Sequence, residues 1–445
     1  MAIHPIEYRY GHPDMKDIWS EETRLRKILS VEAALAKAEV QAGYIPGGVD
    51  DKISQGVKNV ELDRVKEIED EIHHDVMAVV HALSEQCGDA GKWVHFGATS
   101  NDMLDTATAL QVKDAISVFR KETLKLLTAL TDAAESHKNT VCAGRTHGQI
   151  GVPTTYGLRF AIWASETERH LVRLDQLTPR ATAGKMSGAV GTQAAFGKNG
   201  IEIQERTMEL LGIEAADVSN QIIQRDRHAE FVMWMANIAT TLDKICIEIR
   251  TLARSEIAEV EESFGKKQVG SSTMPHKRNP IKSEQVCGLA RIVRAMVEPA
   301  LRNNTLWDER DLTNSSCERV VFPEACVLAD HLIRLTTNII HNLRIYPGNI
   351  RKNLELLDGL NMGEAIMMEL SKKGVGRQEA HEIVRQCAMN ARESRIHMRE
   401  ALLANETVSE YMTETEIESM MNPDNYIGTA VEQVESIVAK LRMRG

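Results

Sequence analysis

Three long stretches without glycine or proline constrain the fold of this chain more than any other feature. They span residues 99–143, 213–264 and 324–346. In two of them apolar residues step by three or four positions, at Phe231, Trp234, Ile238, Leu242, Ile245, Ile249 and Leu252, and at Leu328, Leu332, Leu335, Ile339 and Leu343. Such spacing gives each helix one apolar stripe, which neighbouring helices must cover. The sequence therefore predicts an all-α fold with a bundle of long helices whose stripes continue into an oligomer core.

Shorter helical stretches flank the predicted bundle. A helix is predicted over residues 20–42, with Ser20 as its N-cap, and a second over residues 61–87. The turn at residues 346–348 ends the long-helix region. We expect three helical domains, at 1–99, 100–345 and 346–445, with a loop at 263–283 inside the central one. An extended coiled coil is the rival architecture, although the charges that should flank its apolar seam follow no clean pattern.

Composition excludes several classes of protein. The net charge of -11 argues against nucleic acid as the main partner, because phosphate backbones require a basic face. No run approaches the ~20 apolar residues of a membrane span, and because the first residues contain no apolar core we expect no signal peptide. Seven cysteines without a C-x-x-C pair favour reduced thiols and a cytoplasmic location.

The loop at residues 263–283 carries the strongest chemical signal. It contains five Lys or Arg residues, no acid, two prolines and the paired hydroxyls of Ser271 and Ser272. Free backbone N–H groups, cations and hydroxyls together suit the binding of a small polyanion and the stabilisation of developing negative charge. A basic surface loop or a nucleic-acid patch is the alternative interpretation.

Three further polar patches are candidate functional segments: residues 73–75, 144–155 and 307–319. A metal site could use His73, His74, Asp75 and His81, but a polar cluster on a helix surface is the simpler interpretation, because no H-E-x-x-H is present. His147 lies between two glycines in a turn-rich segment, where a histidine suits proton transfer. The third patch places Arg310 and Arg319 near small hydroxyl residues, an arrangement suited to binding an anion.

The eleven residues GSSTMPHKRNP, from Gly270 to Pro280, resemble the signature of the fumarase/aspartase superfamily, whose members eliminate fumarate from succinyl-type substrates. Four other segments are similar to the branch that acts on succinylated purine nucleotides: HHDVMAVV, HFGATSNDMLDTA, RTHGQIGVPTTYGL and WDERDLTNSSCER. The likeness covers nearly the whole chain, in the same order. Carboxymuconate cycloisomerases of the same superfamily, and a non-catalytic helical scaffold, are the alternatives.

The resemblance implies a carbon–nitrogen lyase of purine biosynthesis. Its expected reactions release fumarate from adenylosuccinate, giving AMP, and from the succinyl-aminoimidazole-carboxamide ribotide earlier in the pathway. The implied assembly is a homotetramer in which four bundles form a twenty-helix core and each active site takes residues from three subunits. No cofactor, metal, nucleic acid or membrane is expected to take part.

The resemblance also implies roles for individual residues. Ser271 is expected to be the base and His147 the acid, with Glu284 paired to His147. Lys277 and Asn279 are expected to hold a substrate carboxylate as its charge rises, and His74 to orient the substrate or its phosphate. The remaining residues expected to bind substrate are Arg9, Tyr10, His73, Asp75, Thr99, Ser100, Gln221, Ser272, Met274, Arg310, Ser315 and Arg319.

Overall fold

The computed structural model describes residues 3–265 and 273–443, and within them the fold is all-α, as predicted. The first helices are α1 Pro5–Tyr8, α2 Pro13–Ile18, α3 Glu21–Gln41, α4 Val49–Gly56, α5 Leu62–Ile72, α6 Asp75–Gln86, α7 Ser100–Ser136, α8 Tyr156–Ala181, α9 Gly200–Leu211 and α10 Asp226–Leu252. The remaining helices are α11 Ile281–Ala295, α12 Val297–Arg302, α13 Thr313–His341, α14 Pro347–Leu354, α15 Gly363–Lys372, α16 Arg377–Ser394, α17 Met398–Leu403, α18 Glu406–Tyr411, α19 Glu414–Met421 and α20 Ala430–Arg442.

Four short strands form two antiparallel pairs. Strand β1 Val141–Thr146 pairs with β2 Gln149–Thr155, and β3 Val260–Glu261 pairs with β4 Arg344–Ile345. The first pair lies in the segment that the sequence suggested to be a loop. Val141, Thr154 and Thr155 are the β-branched residues that favour this extended pairing.

The chain divides into two compact units. The first unit contains Met1–Thr123, Arg169–Asp243 and Val286–Arg334, and the second contains Leu124–Glu168, Lys244–Gln285 and Leu335–Gly445. Each has a core of its own. In the first, apolar residues of α3 to α7 and α9 pack together, and in the second those of α15 to α19 do so. The division into three domains at residues 99 and 345 stays a prediction.

The predicted apolar stripe is fully buried on α10 and mostly buried on α13. All seven stripe residues of α10 are at most 4% exposed. On α13, Leu328, Leu332 and Ile339 are buried, while Leu335 and Leu343, which follows the helix, are half-buried. At about 25 cal/mol per Å² of apolar surface, this burial stabilises the long helices far more than their intrinsic propensities do. No helix in the described ranges is long and apolar enough to cross a membrane.

Several helix boundaries differ from the predictions. Helix α7 ends at Ser136 within the stretch 99–143, and α10 covers only Asp226–Leu252 of the stretch 213–264. The predicted helix over residues 61–87 is broken at His73, whose φ of 55° ends α5, and His74 is the N-cap of α6. Helix α13 begins at Thr313 rather than at Glu324 and contains Pro323. A proline inside a helix costs about 3 kcal/mol, but Val321, Phe322 and Ala325 around it are buried, and that packing offsets the cost.

Candidate active site

His147 occupies the tip of the β1–β2 hairpin in the second unit. The loop between the strands has only two residues, His147 with φ 54° and Gly148 with φ 75°. Positive φ at both positions is the pattern of a type I′ turn, which suits the twist of antiparallel strands and favours glycine at the second position. The imidazole is exposed and makes no hydrogen bond to any described residue. A histidine placed in this way is free to exchange a proton with a molecule outside its own hairpin.

A buried glutamate fixes the base of this hairpin. Glu259 is fully buried and accepts hydrogen bonds from Arg145 Nη2 at 2.5 Å, from the Tyr156 hydroxyl at 2.6 Å and from Asn353 Nδ2 at 2.9 Å. Burial, together with the charge of Glu259, raises the pKa of Tyr156 well above its usual value, so the phenol stays a donor. Because Arg145 lies two residues before His147, the contact with Glu259 restrains the strand that carries the histidine.

A second glutamate joins the two ends of the loop at residues 263–283, which we call the signature loop. Glu262 precedes the loop and is 7% exposed. Its carboxylate accepts the backbone N–H groups of Lys282, at 3.1 Å, and Ser283, at 2.7 Å, and the Ser283 hydroxyl at 2.5 Å. Both N–H groups belong to the first turn of α11, where four such donors have no partner within the helix. A negative charge there also interacts favourably with the helix dipole. Glu262 therefore caps α11 from about twenty residues away and closes the loop at its base.

Replacing Glu262 with glutamine is expected to loosen this closure. A hydrogen bond to a charged group contributes about 1.5–3 kcal/mol, so local opening at Lys282 and Ser283 should rise by about 10- to 100-fold. Amide hydrogen exchange at those two residues measures the change directly. Glu261→Gln is the matched control, since Glu261 forms only partly exposed ion pairs with Arg278 and Arg344. Unchanged exchange in Glu262→Gln would show that the carboxylate does not hold the loop.

The described part of the signature loop borders a cavity rich in cations. The cavity has a volume of about 600 Å³ and is lined by Arg250, Arg254, His276, Lys277 and Arg278. Met274, Asn279 and Glu284 of the predicted site also line it, all of them within the second unit. We call this space the cationic cavity. Its excess of positive charge, with Glu284 as the single carboxylate among the lining residues, suits an anion with more than one carboxylate.

The predicted residues of the second unit are only partly brought together. Lys277 is exposed and has no ion-pair partner among the described residues. Ser271 and Ser272, the expected base and its neighbour, lie outside the described residues. Within residues 3–265 and 273–443, no hydrogen bond or ion pair joins Glu284 to His147. The pairing of Glu284 with His147 therefore stays a prediction.

In the first unit the break between α5 and α6 sets the geometry of three predicted residues. His73 and His74 are exposed, and Asp75 begins α6. The Asp75 carboxylate forms ion pairs with Arg319, at 2.9 Å, and with Arg24, at 3.6 Å. These histidines, Asp75 and His81 do not form a group that could hold a metal ion. The helix-surface interpretation needs one correction, because the two histidines stand at a break between helices.

Four arginines line a second cavity, which we call the arginine cavity. It has a volume of about 300 Å³ and is lined by Arg24, Arg225, Arg310 and Arg319, together with Ser315 from the first turn of α13. Within the third polar patch, the early start of α13 at Thr313 places Ser315 and Arg319 one turn apart on a helix that lines this space. The cavity thus joins Arg310, Ser315 and Arg319, as an anion site requires.

The charges of the arginine cavity are unevenly compensated. Arg225 is buried between Asp105 and Glu318, at 2.8 Å from each carboxylate. Burial opposes its charge, but these carboxylates hold the pKa of Arg225 above its usual value. Burial instead lowers the pKa of Arg310, and the nearby charge of Arg225 acts in the same direction. The Arg310 Nε atom is buried without a hydrogen-bond partner among the described residues, so Arg310 is the arginine best placed to gain from a bound anion.

The other predicted residues of the first unit are placed differently. Gln221 is half-buried, and its Oε1 accepts a long hydrogen bond of 3.4 Å from Arg310. Arg9 lies over the ring of Tyr10 at 5.9 Å, but neither residue lines the arginine cavity. Thr99 and Ser100 lie at the start of α7, and their hydroxyls make no hydrogen bond within the described part of the chain.

Sequence reasoning missed several residues at these sites. Arg24 was assigned only to a helix, and Arg250 and Arg254 lie at and just beyond the end of α10. The available signal was weak: an arginine within a helical pattern usually belongs to a solvated face. Glu259 and Glu262 gave a clearer sequence signal, because an acidic run next to an acid-free basic loop suggests that the acids interact with the charges or N–H groups of that loop.

Comparison with known proteins now connects this geometry with a family. A family model described as "Lyase" matches residues 7–295, and a second, described as "Adenylosuccinate lyase C-terminus", matches residues 359–437. Together with the all-α fold, the first match defines an enzyme of the lyase class within the fumarase/aspartase superfamily.

Curated relatives identify the family within this class of lyases. The chain is 52% identical to the adenylosuccinate lyase of Methanocaldococcus jannaschii, covering 99% of this chain and 96% of the relative. It is 53% identical to that of Pyrococcus abyssi, covering 98% of both chains. The chain belongs to the adenylosuccinate lyase family.

Solved structures show the same fold at lower identity. A fumarate lyase from Mesorhizobium sp. BNC1 is 29% identical with a TM-score of 0.89, covering 96% of this chain and 98% of the other. A 3-carboxy-cis,cis-muconate lactonizing enzyme from Pseudomonas putida has the same identity and TM-score and covers 99% of both. The structural likeness to a muconate enzyme thus reflects the superfamily fold, while the much higher sequence identity to adenylosuccinate lyases separates the two branches.

Proposed function

We propose that the protein eliminates fumarate from adenylosuccinate, giving AMP, and from the succinyl-aminoimidazole-carboxamide ribotide. The observation that carries the proposal is the identity of about 52% to adenylosuccinate lyases over nearly the full length of both chains. The complete signature GSSTMPHKRNP and the two cavities, one rich in cations and one in arginines, support it. The carboxymuconate cycloisomerase alternative has only the shared fold in its favour.

The chemistry is a β-elimination. A base removes a proton from the succinyl carbon next to one carboxylate, and negative charge spreads into that carboxylate. The electron pair of the broken C–H bond becomes the double bond of fumarate, and the C–N bond breaks. An acid then supplies the proton that the departing nitrogen needs. The largest demand on the enzyme is to stabilise the carboxylate as its charge rises, and removing one donor from such a site typically costs about 3 kcal/mol in the barrier.

The side chains of the second unit suit this demand. In the proposal Ser271 is the base, stabilised as an alkoxide by neighbouring N–H groups and by Lys277 once water is excluded. Lys277 and Asn279 hold the carboxylate, and Ser272 and Met274 also bind the substrate. The exposed position of Lys277 in the cationic cavity, with no ion-pair partner among the described residues, supports a role toward substrate rather than in a structural ion pair. His147 is the acid, and Glu284 is its partner in the assembled site.

The side chains of the first unit suit the nucleotide. Arg310, Ser315 and Arg319 bind the phosphate, an assignment supported by the arginine cavity that they share. Thr99, Ser100 and Gln221 bind the succinyl carboxylates, and the unbonded hydroxyls at the start of α7 support this role. His74 orients the substrate or its phosphate, His73 and Asp75 bind the substrate, and Arg9 and Tyr10 contact the nucleotide.

Replacing Arg310 with alanine is expected to weaken AMP binding by about 10- to 100-fold, because a hydrogen bond between charged groups contributes about 1.5–3 kcal/mol. Adenosine, which lacks the phosphate, should bind the variant and the wild type equally. Isothermal titration with both ligands measures the difference. Arg302→Ala is the matched control, since Arg302 is exposed on α12 and pairs only with Glu298. Equal AMP affinity in Arg310→Ala and wild type would remove the arginine cavity from the phosphate site.

Assembly is part of the proposal. We expect a homotetramer in which the long helices of four chains form a twenty-helix core and each active site draws on three subunits. Apolar residues that stay about half exposed on the long helices support it: Ile162 on α8, Ile247 on α10 and Val320 on α13. Light scattering coupled to size-exclusion chromatography tests the state directly. A cytoplasmic location also stays a prediction, and it is compatible with the seven cysteines, none of which forms a disulfide within the described residues.

One assay tests the proposed reaction. The purified, assembled protein is incubated with adenylosuccinate while the ultraviolet absorbance is followed as AMP forms, and fumarate is measured independently. Carboxymuconate serves as the control substrate. We expect equal amounts of AMP and fumarate and no turnover of carboxymuconate. If adenylosuccinate stays intact while carboxymuconate is converted, the cycloisomerase alternative replaces the proposal.

A further inference from the structure

A fully buried ion pair lies directly behind the residues proposed to bind the succinyl carboxylates. Asp102 and Lys185 are both 0% exposed, and Lys185 Nζ donates to Asp102 Oδ1. Burying two charges in a protein interior is costly, and the attraction between them repays the cost only when the remaining hydrogen-bonding positions are also filled. The Asp102 carboxylate of the pair meets that condition.

Three backbone N–H groups complete the shell of the Asp102 carboxylate. Ser187 N donates to Oδ1 at 2.9 Å, Gly188 N to Oδ2 at 3.1 Å, and Thr99 N to Oδ2 at 2.9 Å. Gly188 has a φ of 75°, a conformation that glycine adopts without strain and that brings its N–H to the carboxylate. We call this cluster of Asp102, Lys185, Ser187, Gly188 and Thr99 the Asp102 junction.

The junction joins two segments that are about 85 residues apart in sequence. Thr99 directly precedes α7 and Ser100 is its first residue, and the hydroxyls of both make no hydrogen bond to any described residue. The segment from Lys185 to Ala189 follows α8 and makes a second contact with α7 about one turn after Asp102, because the Thr106 hydroxyl donates to the Lys185 carbonyl and accepts the Lys185 N–H. One carboxylate thus fixes the start of α7 against a loop of small residues.

The same loop holds the third proposed carboxylate ligand. The Ser187 hydroxyl lies 2.8 Å from the Ser219 hydroxyl and donates to the Asn220 carbonyl at 3.3 Å. Gln221 Nε2 donates to the Ala189 carbonyl at 3.1 Å. A continuous set of hydrogen bonds therefore runs from Thr99 through Asp102 and the loop to Gln221, all within the first unit.

We propose that Asp102 and Lys185 are positioning residues that hold the hydroxyls of Thr99 and Ser100 and the amide of Gln221 in the one arrangement that binds the succinyl group. The inference rests on the proposed function. Neither residue touches the substrate, since both are fully buried. A packed apolar pair would fill the same space, but it would offer no acceptor to the Thr99, Ser187 and Gly188 N–H groups. Displacing a binding group by about 1 Å can lower a rate by about 100-fold.

The position of the Asp102 junction predicts that its substitution weakens the binding of the succinyl group and leaves the binding of the nucleotide unchanged. AMP lacks the succinyl group, so its affinity reports only on the nucleotide end of the site. Asp102→Asn keeps the shape of the side chain and removes its charge. We expect kcat/KM for adenylosuccinate to fall by about 100-fold in Asp102→Asn, while the Kd for AMP changes by less than about threefold. Lys185→Met should show the same divergence between the two measurements.

Controls separate positioning from loss of stability. Ile53→Ala creates a cavity in α4 of the same unit, at a fully buried residue with no polar contact to the site. Assayed below its unfolding temperature, it should keep both kcat/KM and AMP affinity. Ser187→Ala removes only the hydroxyl contacts with Ser219 and Asn220, so it tests the junction without disturbing its charges. We expect it to lower kcat/KM by about tenfold at unchanged AMP affinity.

The outcomes are distinguishable. Wild-type protein that fails to convert adenylosuccinate overturns the proposed function, and this inference falls with it. Active wild type with normal kcat/KM in Asp102→Asn overturns the inference alone. Equal losses of kcat/KM and AMP affinity in Asp102→Asn also overturn it, because they would assign the junction a general structural role. If Asp102→Asn and Lys185→Met fail to fold, Ser187→Ala decides: wild-type kcat/KM in that variant contradicts the proposal.

Discussion

Replacing His147 with glutamine is expected to lower kcat for adenylosuccinate by about 10²- to 10⁴-fold, the range typical of a lost general acid. Glutamine can still donate a hydrogen bond, but it cannot give up a proton to the departing nitrogen. The substitution should leave the hairpin intact, because the exposed imidazole makes no hydrogen bond to the described residues and the chain already holds Gln193 at a φ of 56°. Steady-state kinetics at saturating substrate measure the loss.

The control for this prediction is another exposed histidine. His81→Gln changes the same side chain on the surface of α6 and should leave kcat unchanged. The far-ultraviolet circular dichroism of both variants should match that of the wild type. A loss of less than about tenfold in His147→Gln would assign the acid to another group.

The second large effect is a recovery of activity. Ser271→Ala should abolish turnover while adenylosuccinate still binds, because the base is lost and the binding groups are kept. If Ser271 and His147 of one site come from different subunits, mixing Ser271→Ala with His147→Gln under exchange conditions should return sites with both residues intact. For random exchange in a tetramer, about one quarter of the sites would be restored. The activity of the mixture, compared with that of each variant alone, measures the recovery.

Two controls are needed to interpret the mixing experiment. Two differently tagged preparations of Ser271→Ala, mixed in the same way, should stay inactive. Capture through one tag followed by detection of the other confirms that subunits exchanged. Exchange without recovery would place Ser271 and His147 of each site in the same subunit and contradict the proposed assembly.

Local signals predicted the helical part of the fold well. The N-cap at Ser20 is confirmed, since its hydroxyl accepts the Thr23 N–H at 3.1 Å. The apolar stripe of α10 is buried at every predicted position. Both features depend on residues only a few positions apart, and such short-range patterns can be read from one sequence.

Features that depend on distant contacts were not predictable in the same way. Glu262 caps a helix that begins almost twenty residues later, and Asp102 pairs with a lysine 83 positions away. The break at His73 requires a positive φ at a residue other than glycine, for which one sequence gives little warning. Burial beside Pro323 overrode a local helix-stopping signal in α13. The residues proposed for the site come from the resemblance, whereas the contacts that hold them in place, such as those of Glu262 and Asp102, are visible only in the fold.

The two-residue turn at the tip of the β1–β2 hairpin has a consequence for how the activity depends on concentration. A proton donor at the outermost point of a rigid hairpin is well placed to serve a cleft that its own chain does not complete. Under the proposed assembly, a dissociated chain would be correctly folded but inactive, because its active site would lack the residues of the other subunits. Specific activity should then decline on dilution as the tetramer separates, and return on reconcentration, without any change in helix content.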